Sequence, residues 1–256
     1  VENAISLESA AGIGRITIRR PERRNAMSRA MWRRLAEVLA QAEADAAIAV
    51  LLLAGEGGHF CAGADIGEFA ATYADPATAE AANAEIAAAV AALAAFSRPT
   101  IAAISGACVG GGVSLALACD LRIADTSARF AITPAKLGLI YSHADTQRLV
   151  RAVGAARAKE LLFTGRMLGA EEAERIGLVT TLATDATAAA AEAAAQLATA
   201  SRPALRAIKR MVEDVAAGVP EGPEHRALFA AAFRSEDFAE GRDAFLARRP
   251  PRFRAP

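Results

Sequence analysis

Residues 99–120 read PTIAAISGACVGGGVSLALACD, and how this stretch folds decides the architecture. It carries no charge for 21 residues, 99–119, which reaches membrane-span length, and Gly106 and Gly110 stand at GxxxG spacing. Helix energetics argue against a span. Gly110, Gly111 and Gly112 interrupt the run, and a glycine costs a helix interior about 1 kcal/mol relative to alanine. Pro99, Ser105 and Ser114 weigh the same way. The stretch divides instead into a buried strand at 99–105, a glycine loop at 106–112 and a short buried helix at 113–118.

The same order occurs upstream. Residues 50–53 form an apolar strand closed by Gly55-Glu56-Gly57-Gly58, a loop follows at 59–69, and 77–95 is an alanine-rich helix. Strand, loop and helix thus recur, which predicts stacked ββα turns in an α/β core. Ahead of them, 5–8 and 14–18 read as a hairpin that ends at Pro21. Residues 28–44 place Met31, Leu35, Val38, Leu39 and Ala42 at helical spacing. Downstream come strands at 121–124 and 129–132, helices at 146–153, 156–163 and 170–175, and a strand at 178–182. From Ala186 only helices follow, broken by Pro203 and by Pro220 to Pro223, the last spanning about 235–248. The expected organisation is a core of residues 1–195 and a helical region of 196–256 that covers the site or contacts another copy.

Composition narrows the function. Of 256 residues 54% are apolar, enough for a sizeable core. Lys plus Arg and Asp plus Glu number 29 each, a balance that points to no nucleic-acid or membrane partner. Arg19, Arg20, Arg23 and Arg24 are a local cluster, readable as a solvated loop or as an anion site. Cys61, Cys108 and Cys119 form no CxxC pair, and two lie in apolar runs; reduced thiols in a cytoplasmic protein are expected. Val1-Glu2-Asn3 shows no basic stretch leading into an apolar one, so no signal peptide is expected.

Two loops could carry chemistry: Cys61-Ala62-Gly63-Ala64-Asp65-Ile66, and Gly110-Gly111-Gly112 before a helix. Glycine lets backbone approach a ligand, and helix N-terminal N–H groups favour an anionic oxygen. Two such donors from separate loops can converge on one carbonyl; spacing alone leaves two tight turns without a ligand equally open. Other motifs fail. There is no GxxxxGK[ST] and no GxGxxG after a strand, and Gly112-Val113-Ser114-Leu115-Ala116 lacks the last glycine of a nucleophile elbow. His59, His143 and His225 are too scattered for a metal pattern.

Together these segments resemble the crotonase (enoyl-CoA hydratase/isomerase) family. RPERRNAM at 20–27 is similar to its RPxxxNAL opening, CAGAD at 61–65 to its (S/A/C)AGAD loop, and GACVGGGVSLALACD at 106–120 to its GxxxGGGxxLALACD segment. Gly138 with TQRL at 146–149, AEEAERIGLV at 170–179 and EGRDAF at 240–245 continue the likeness over nearly the whole chain. The resemblance implies an α/β fold of the ClpP/crotonase type, a spiral of ββα turns with a helical C-terminal region, assembled as a homotrimer or hexamer. It implies an acyl-CoA enzyme, a lyase or isomerase, whose Ala64 and Gly111 N–H groups form an oxyanion hole for a thioester enolate. Ala62, Asp65 and Ile66 would meet the adenine end of CoA, Arg24 its phosphates, and Phe245 and Arg248 a CoA that can belong to a neighbouring subunit. Arg248 stands where the family often carries Lys. No cofactor beyond the CoA moiety is implied.

The chain departs from the family pattern at both hydratase glutamates, whose positions hold Ser114 and Pro134. A general acid or base is worth about 10²–10⁴-fold, so the resemblance supports enolate stabilisation more firmly than hydration. Residues 133–141, TPAKLGLIY, resemble the TPxNLGxxY stretch of methylmalonyl-CoA decarboxylase, another crotonase, which makes Tyr141 a candidate beside a departing carboxylate. Ala64 replaces a His of that enzyme. A non-catalytic acyl-CoA binding protein is a further alternative. His143 and Asp145 are either titrating groups of an altered site or a helix start with Asp145 as N-cap.

Overall fold

The computed structural model describes residues 4–253. Its main sheet has six strands in the order β1-β2-β3-β4-β6-β9: β1 (Ile5–Ala10), β2 (Ile13–Ile18), β3 (Val50–Gly55), β4 (Thr100–Ile104), β6 (Leu121–Asp125) and β9 (Thr181–Ala183). The β1–β2 hairpin is antiparallel and every other neighbour is parallel. A smaller sheet joins β5 (Ala107–Val109), β7 (Arg129–Ala131) and β8 (Leu168–Gly169). The mixed α/β class expected from the sequence is therefore the fold.

β3 and β4 lack polar–apolar alternation because both faces of the sheet are covered. Leu51 and Leu53 join one cluster with Ala102, Ile104 and Val113. Val50 and Leu52 join a second with Ile101, Ile123 and two fully buried alanines, Ala190 and Ala194. Those alanines belong to α7 (Ala186–Ala198), whose small side chains let it lie close on the sheet. On the opposite face lie α1 (Arg29–Ala44), capped by the Ser28 hydroxyl, and α3 (Pro76–Ala94), capped by Asp75. The short α2 (Phe69–Thr72) precedes α3, and α4 (Gly111–Ala118) starts within the glycine run.

The structure corrects several readings. The segment at 106–112 is not all loop: β5 pairs with β7 there, and β8 completes the small sheet. A two-residue strand has too little periodicity to be read. The strand expected at 178–182 is β9, displaced toward its C-terminal end; Leu178 and Val179 are apolar because they pack in the core, not because they pair. Helix α5 (His143–Thr164) starts earlier than expected. Its N-cap is Ser142, whose Oγ accepts from the Asp145 N–H at 3.1 Å, so Asp145 is not the cap. The helix bends at Gly154 (φ +77°), which separates the two helical patterns read there. α6 (Ala170–Arg175) follows β8.

The remaining helices are α8 (Arg202–Ala216), α9 (Pro223–Ala232) and α10 (Glu236–Leu246). α8 buries none of its residues, and Ile208, Val212 and Val215 on its apolar face are exposed. Lys209 Nζ fastens it to the core, donating to Asp120 Oδ2 at 2.8 Å and to the Arg98 carbonyl at 3.1 Å. No helix among the described residues is long and apolar enough to cross a membrane.

Candidate active site

Two turns meet where β5 leads into α4. The Cys61 N–H donates to the Ala107 carbonyl (2.9 Å), and the Val109 N–H donates back to the Cys61 carbonyl (2.9 Å). This bridge lays the Cys61–Gly63 backbone along β5. Glycine is required at the contact. A Cβ on Gly112 would stand 2.2 Å from the Cys61 carbonyl oxygen, and one on Gly63 (φ +94°) 2.7 Å from that of Val109 and 3.4 Å from the Gly111 nitrogen. The two turns are thus in van der Waals contact.

The amides around the contact are mostly engaged. Met27 donates to the Gly63 carbonyl (2.7 Å) and accepts from the Asp65 N–H (2.9 Å). In such a parallel bridge the residue opposite Met27, Ala64, turns its own N–H away from the partner. Gly110 donates to the Ala131 carbonyl at 2.8 Å, while Gly111 is the first residue of α4, where helix geometry leaves the N–H without an internal acceptor. Among the described residues, neither the Ala64 nor the Gly111 N–H has a backbone acceptor.

Ser114 lies one turn into α4 and is buried. Its Oγ is 2.8 Å from the Tyr141 hydroxyl, which also lies 3.4 Å from the Gly110 carbonyl. The chain from Pro134 to Tyr141 therefore folds back over the glycine turn and places a phenol against the serine. Burial, followed by the nearby Asp145 carboxylate, pushes the Tyr141 phenol well above its usual range. The pair is neutral and can donate hydrogen bonds, but it is no base near neutral pH. Pro134 opens a short 3-10 turn, Pro134–Leu137, beyond β7, and contributes no titratable group.

The residues named for CoA fall in two places. Arg24, Ala62, Asp65 and Ile66 are brought together: the Arg24 carbonyl accepts from the Ala62 N–H (3.0 Å), and Ile66 is exposed beside Asp65. Asp65 is a local anchor, accepting from the Gly67 N–H at 2.9 Å and pairing with Arg20 Nη1 at 2.6 Å. Those two contacts, the amide first, hold its carboxyl below the usual range. Phe245 and Arg248 lie at the end of α10, and Phe245 is 83% exposed. His143 is exposed at the start of α5, and Asp145 is occupied by Ser142 Oγ (2.7 Å) and Arg148 (3.1 Å).

Sequence reasoning gave no role to three residues that shape this region. Asn25 is fully buried with φ +59°. Its Oδ1 accepts from the Arg20 N–H (2.8 Å), and its Nδ2 donates to the Glu56 (2.8 Å) and His59 (2.6 Å) carbonyls. His59, read as a loop residue, accepts from the Ala107 N–H through Nδ1 (3.1 Å) and so ties its loop to β5. Trp32 is 1% exposed and packs on Gly111, whose added Cβ would meet its Cζ2 at 3.0 Å. An asparagine at positive φ is a readable turn signal; the other two depend on tertiary contact.

Cys61, Cys108 and Cys119 are free and buried. Burial pushes the Cys61 and Cys119 thiols up to about 12, so neither is a thiolate nucleophile near neutral pH. No group of three or more His, Cys, Asp or Glu among the described residues could hold a metal.

The profile of the enoyl-CoA hydratase/isomerase family matches residues 8–256. The probable enoyl-CoA hydratase echA8 of Mycobacterium tuberculosis is 38% identical over 257 residues, covering 97% of each chain. A member of the enoyl-CoA hydratase/isomerase family from Hyphomonas neptunium superposes with a TM-score of 0.95 at 44% identity, covering 99% of this chain and 98% of that one. The enoyl-CoA hydratase of Bacillus anthracis superposes at 0.90 with 31% identity, covering 99% and 100%. Likeness of sequence and of fold thus extends end to end, and the chain belongs to the enoyl-CoA hydratase/isomerase family.

Proposed function

We propose that this protein acts on acyl-CoA thioesters by holding the thioester oxygen between the Ala64 and Gly111 N–H groups while the acyl group passes through an enolate. The observation that carries this is the pair of amides without backbone acceptors on two turns in contact. Each fixed donor of this kind is worth about 10²–10³-fold in rate, because it stabilises charge that develops only in the transition state. CoA would lie along Arg24, Ala62, Asp65 and Ile66. Phe245 and Arg248, exposed on the helical tail, would reach the CoA of a neighbouring copy in a homotrimer or hexamer, with residues 1–195 as core and 196–256 as cover. No cofactor beyond the CoA moiety enters this scheme, and buried free thiols suit a reducing, cytoplasmic setting.

Ser114 and Pro134 supply no carboxylate at the two positions where hydratases of the family hold glutamates. Wild-type protein is expected to add water to crotonyl-CoA only slowly, by mass spectrometry of the acyl product. Ser114→Glu with Pro134→Glu is expected to raise hydration at least about tenfold. No gain, with both glutamates accommodated and crotonyl-CoA still bound, would show that the pocket serves a different geometry.

The Ser114–Tyr141 contact favours a second reading, decarboxylation of a malonyl-type CoA ester. Cleavage of the Cα–carboxylate bond releases carbon dioxide and leaves its electron pair as the enolate, so no base is needed; a proton delivered through the hydroxyl pair completes the acyl-CoA product. Tyr141→Phe is then expected to slow carbon dioxide release at least about tenfold, and an undiminished rate removes Tyr141 from the reaction. Tight binding of both esters without turnover of either would instead mark a non-catalytic acyl-CoA binder.

A further inference from the structure

A cavity of about 240 Å³ opens where the C-terminal end of α4 meets α5 and α8. It is lined by Leu117 of α4, Arg148 and Arg151 of α5, Glu213 of α8, and Asp120 and Arg122 at the start of β6. The eight residues of α4, about 12 Å of helix, separate it from the glycine turn. Neither Ala64, Gly111, Ser114 and Tyr141 nor the residues proposed for CoA line it. It has room for several waters or for a small organic anion.

The three guanidiniums of this lining are unequally paired. Arg148 is matched by Asp145 (3.1 Å) and Asp120 by Lys209 (2.8 Å), but Arg151 reaches Glu213 only at 3.7 Å. Arg122 makes no hydrogen bond to a carboxylate among the described residues. Main chain fixes it instead: Nε donates to the Leu178 carbonyl and Nη1 to that of Cys119, both at 2.8 Å. Its Nη2 has no acceptor among the described residues and is open to solvent. Burial pushes the Arg122 pKa down, because the charge is partly stripped of water, yet a guanidinium keeps its proton. With the matched pairs set aside, two guanidiniums remain against one carboxylate. A cation fixed in part-buried surroundings without a counterion is unfavourable until an anion joins it. The planar fork of arginine suits two oxygens of one carboxylate or phosphate.

We infer that this cavity is a binding site for a small oxyanion, whose phosphate or carboxylate headgroup is taken by Arg122 and Arg151. It is separate from the site proposed for acyl-CoA and does not depend on that reading. Titration calorimetry of the full chain with inorganic phosphate and with succinate, at an ionic strength held constant by sodium chloride, tests it. Saturable binding of at least one of them at one site per chain is expected, and the tighter of the two tells phosphate from carboxylate. Arg122→Gln and Arg151→Gln are each expected to weaken that binding at least about tenfold. Lys159→Gln removes an exposed charge elsewhere on α5 and is expected to leave it unchanged. No saturable binding of either anion overturns the inference, as does an affinity that Arg151→Gln leaves unchanged or that Lys159→Gln lowers equally. Should Arg122→Gln not fold for want of its main-chain bonds, Arg151→Gln decides, since Arg151 is exposed and gives up one long ion pair. Saturating CoA is expected to leave the affinity unchanged; competition would assign the anion to the CoA phosphates and overturn the inference as well.

Discussion

Replacing Asn25 by alanine is expected to lower the unfolding free energy by about 4 kcal/mol, a large share of the 5–15 kcal/mol that holds a typical domain together. Three hydrogen bonds disappear at once from a buried site, leaving the Arg20 N–H and the Glu56 and His59 carbonyls without their partner. Each such loss costs about 1–3 kcal/mol when water cannot replace it, and these groups are only partly shielded, so the sum falls short of the maximum. Alanine at φ +59° adds backbone strain of about 1–2 kcal/mol. Asn25→Gly separates the contributions: it relieves the strain, keeps the hydrogen-bond loss, and is expected to lie about 1 kcal/mol above the alanine variant. Urea unfolding measures both. A fall below about 1 kcal/mol for Asn25→Ala would mean that the turn re-forms its bonds elsewhere. The functional stake is position: the same turn carries the Arg24 carbonyl that accepts from the Ala62 N–H, next to the proposed CoA contact.

Gly112→Ala is expected to cut turnover of whichever acyl-CoA is accepted by at least about 100-fold. The methyl would stand 2.2 Å from the Cys61 carbonyl oxygen, which is backbone and already bonded to the Val109 N–H, so a rotamer change cannot relieve the overlap. The Cys61–Gly63 turn must move away from the α4 N-terminus, and Ala64 moves with it. A shift of about 1 Å in a catalytic donor is enough for a 100-fold loss. Gly169→Ala is the matched control, because a Cβ there meets nothing within 4 Å and it should behave as wild type. A Gly112→Ala enzyme within threefold of wild type would separate the geometry of these turns from the activity.

The meeting of these two turns could be read before the structure because it is built from backbone. Glycines at 63 and 112 leave a visible mark in sequence, since a Cβ at either would overlap the backbone of the facing turn. The helix at 28–44 was legible for a local reason too: its apolar positions recur at helical spacing. Long-range side-chain contacts were not. Tyr141 is 27 residues from Ser114, and nothing in the local pattern says that its hydroxyl turns back onto α4. Trp32 reads as one more apolar helix residue until Gly111 is placed against it. The early start of α5 was missed because Asp145 has the chemistry of a cap, whereas Ser142, three residues earlier, shows itself as the cap only through its hydrogen bonds with Asp145 in the folded helix.

The alanines of α7 carry a consequence for how this protein can diversify. Ala190 and Ala194 set the helix-to-sheet distance with single methyl groups, both fully buried against Val50, Leu52 and Ile101. That rear wall is filled to a fixed depth, and any larger residue there must push the sheet itself. Adjustments to ligand size would then fall to the opposite wall, where α3 buries Ala82, Ala89, Val90 and Leu93 and packs Ile86 partly buried among them. Mutational drift toward new acyl groups should accumulate on α3 and leave α7 untouched.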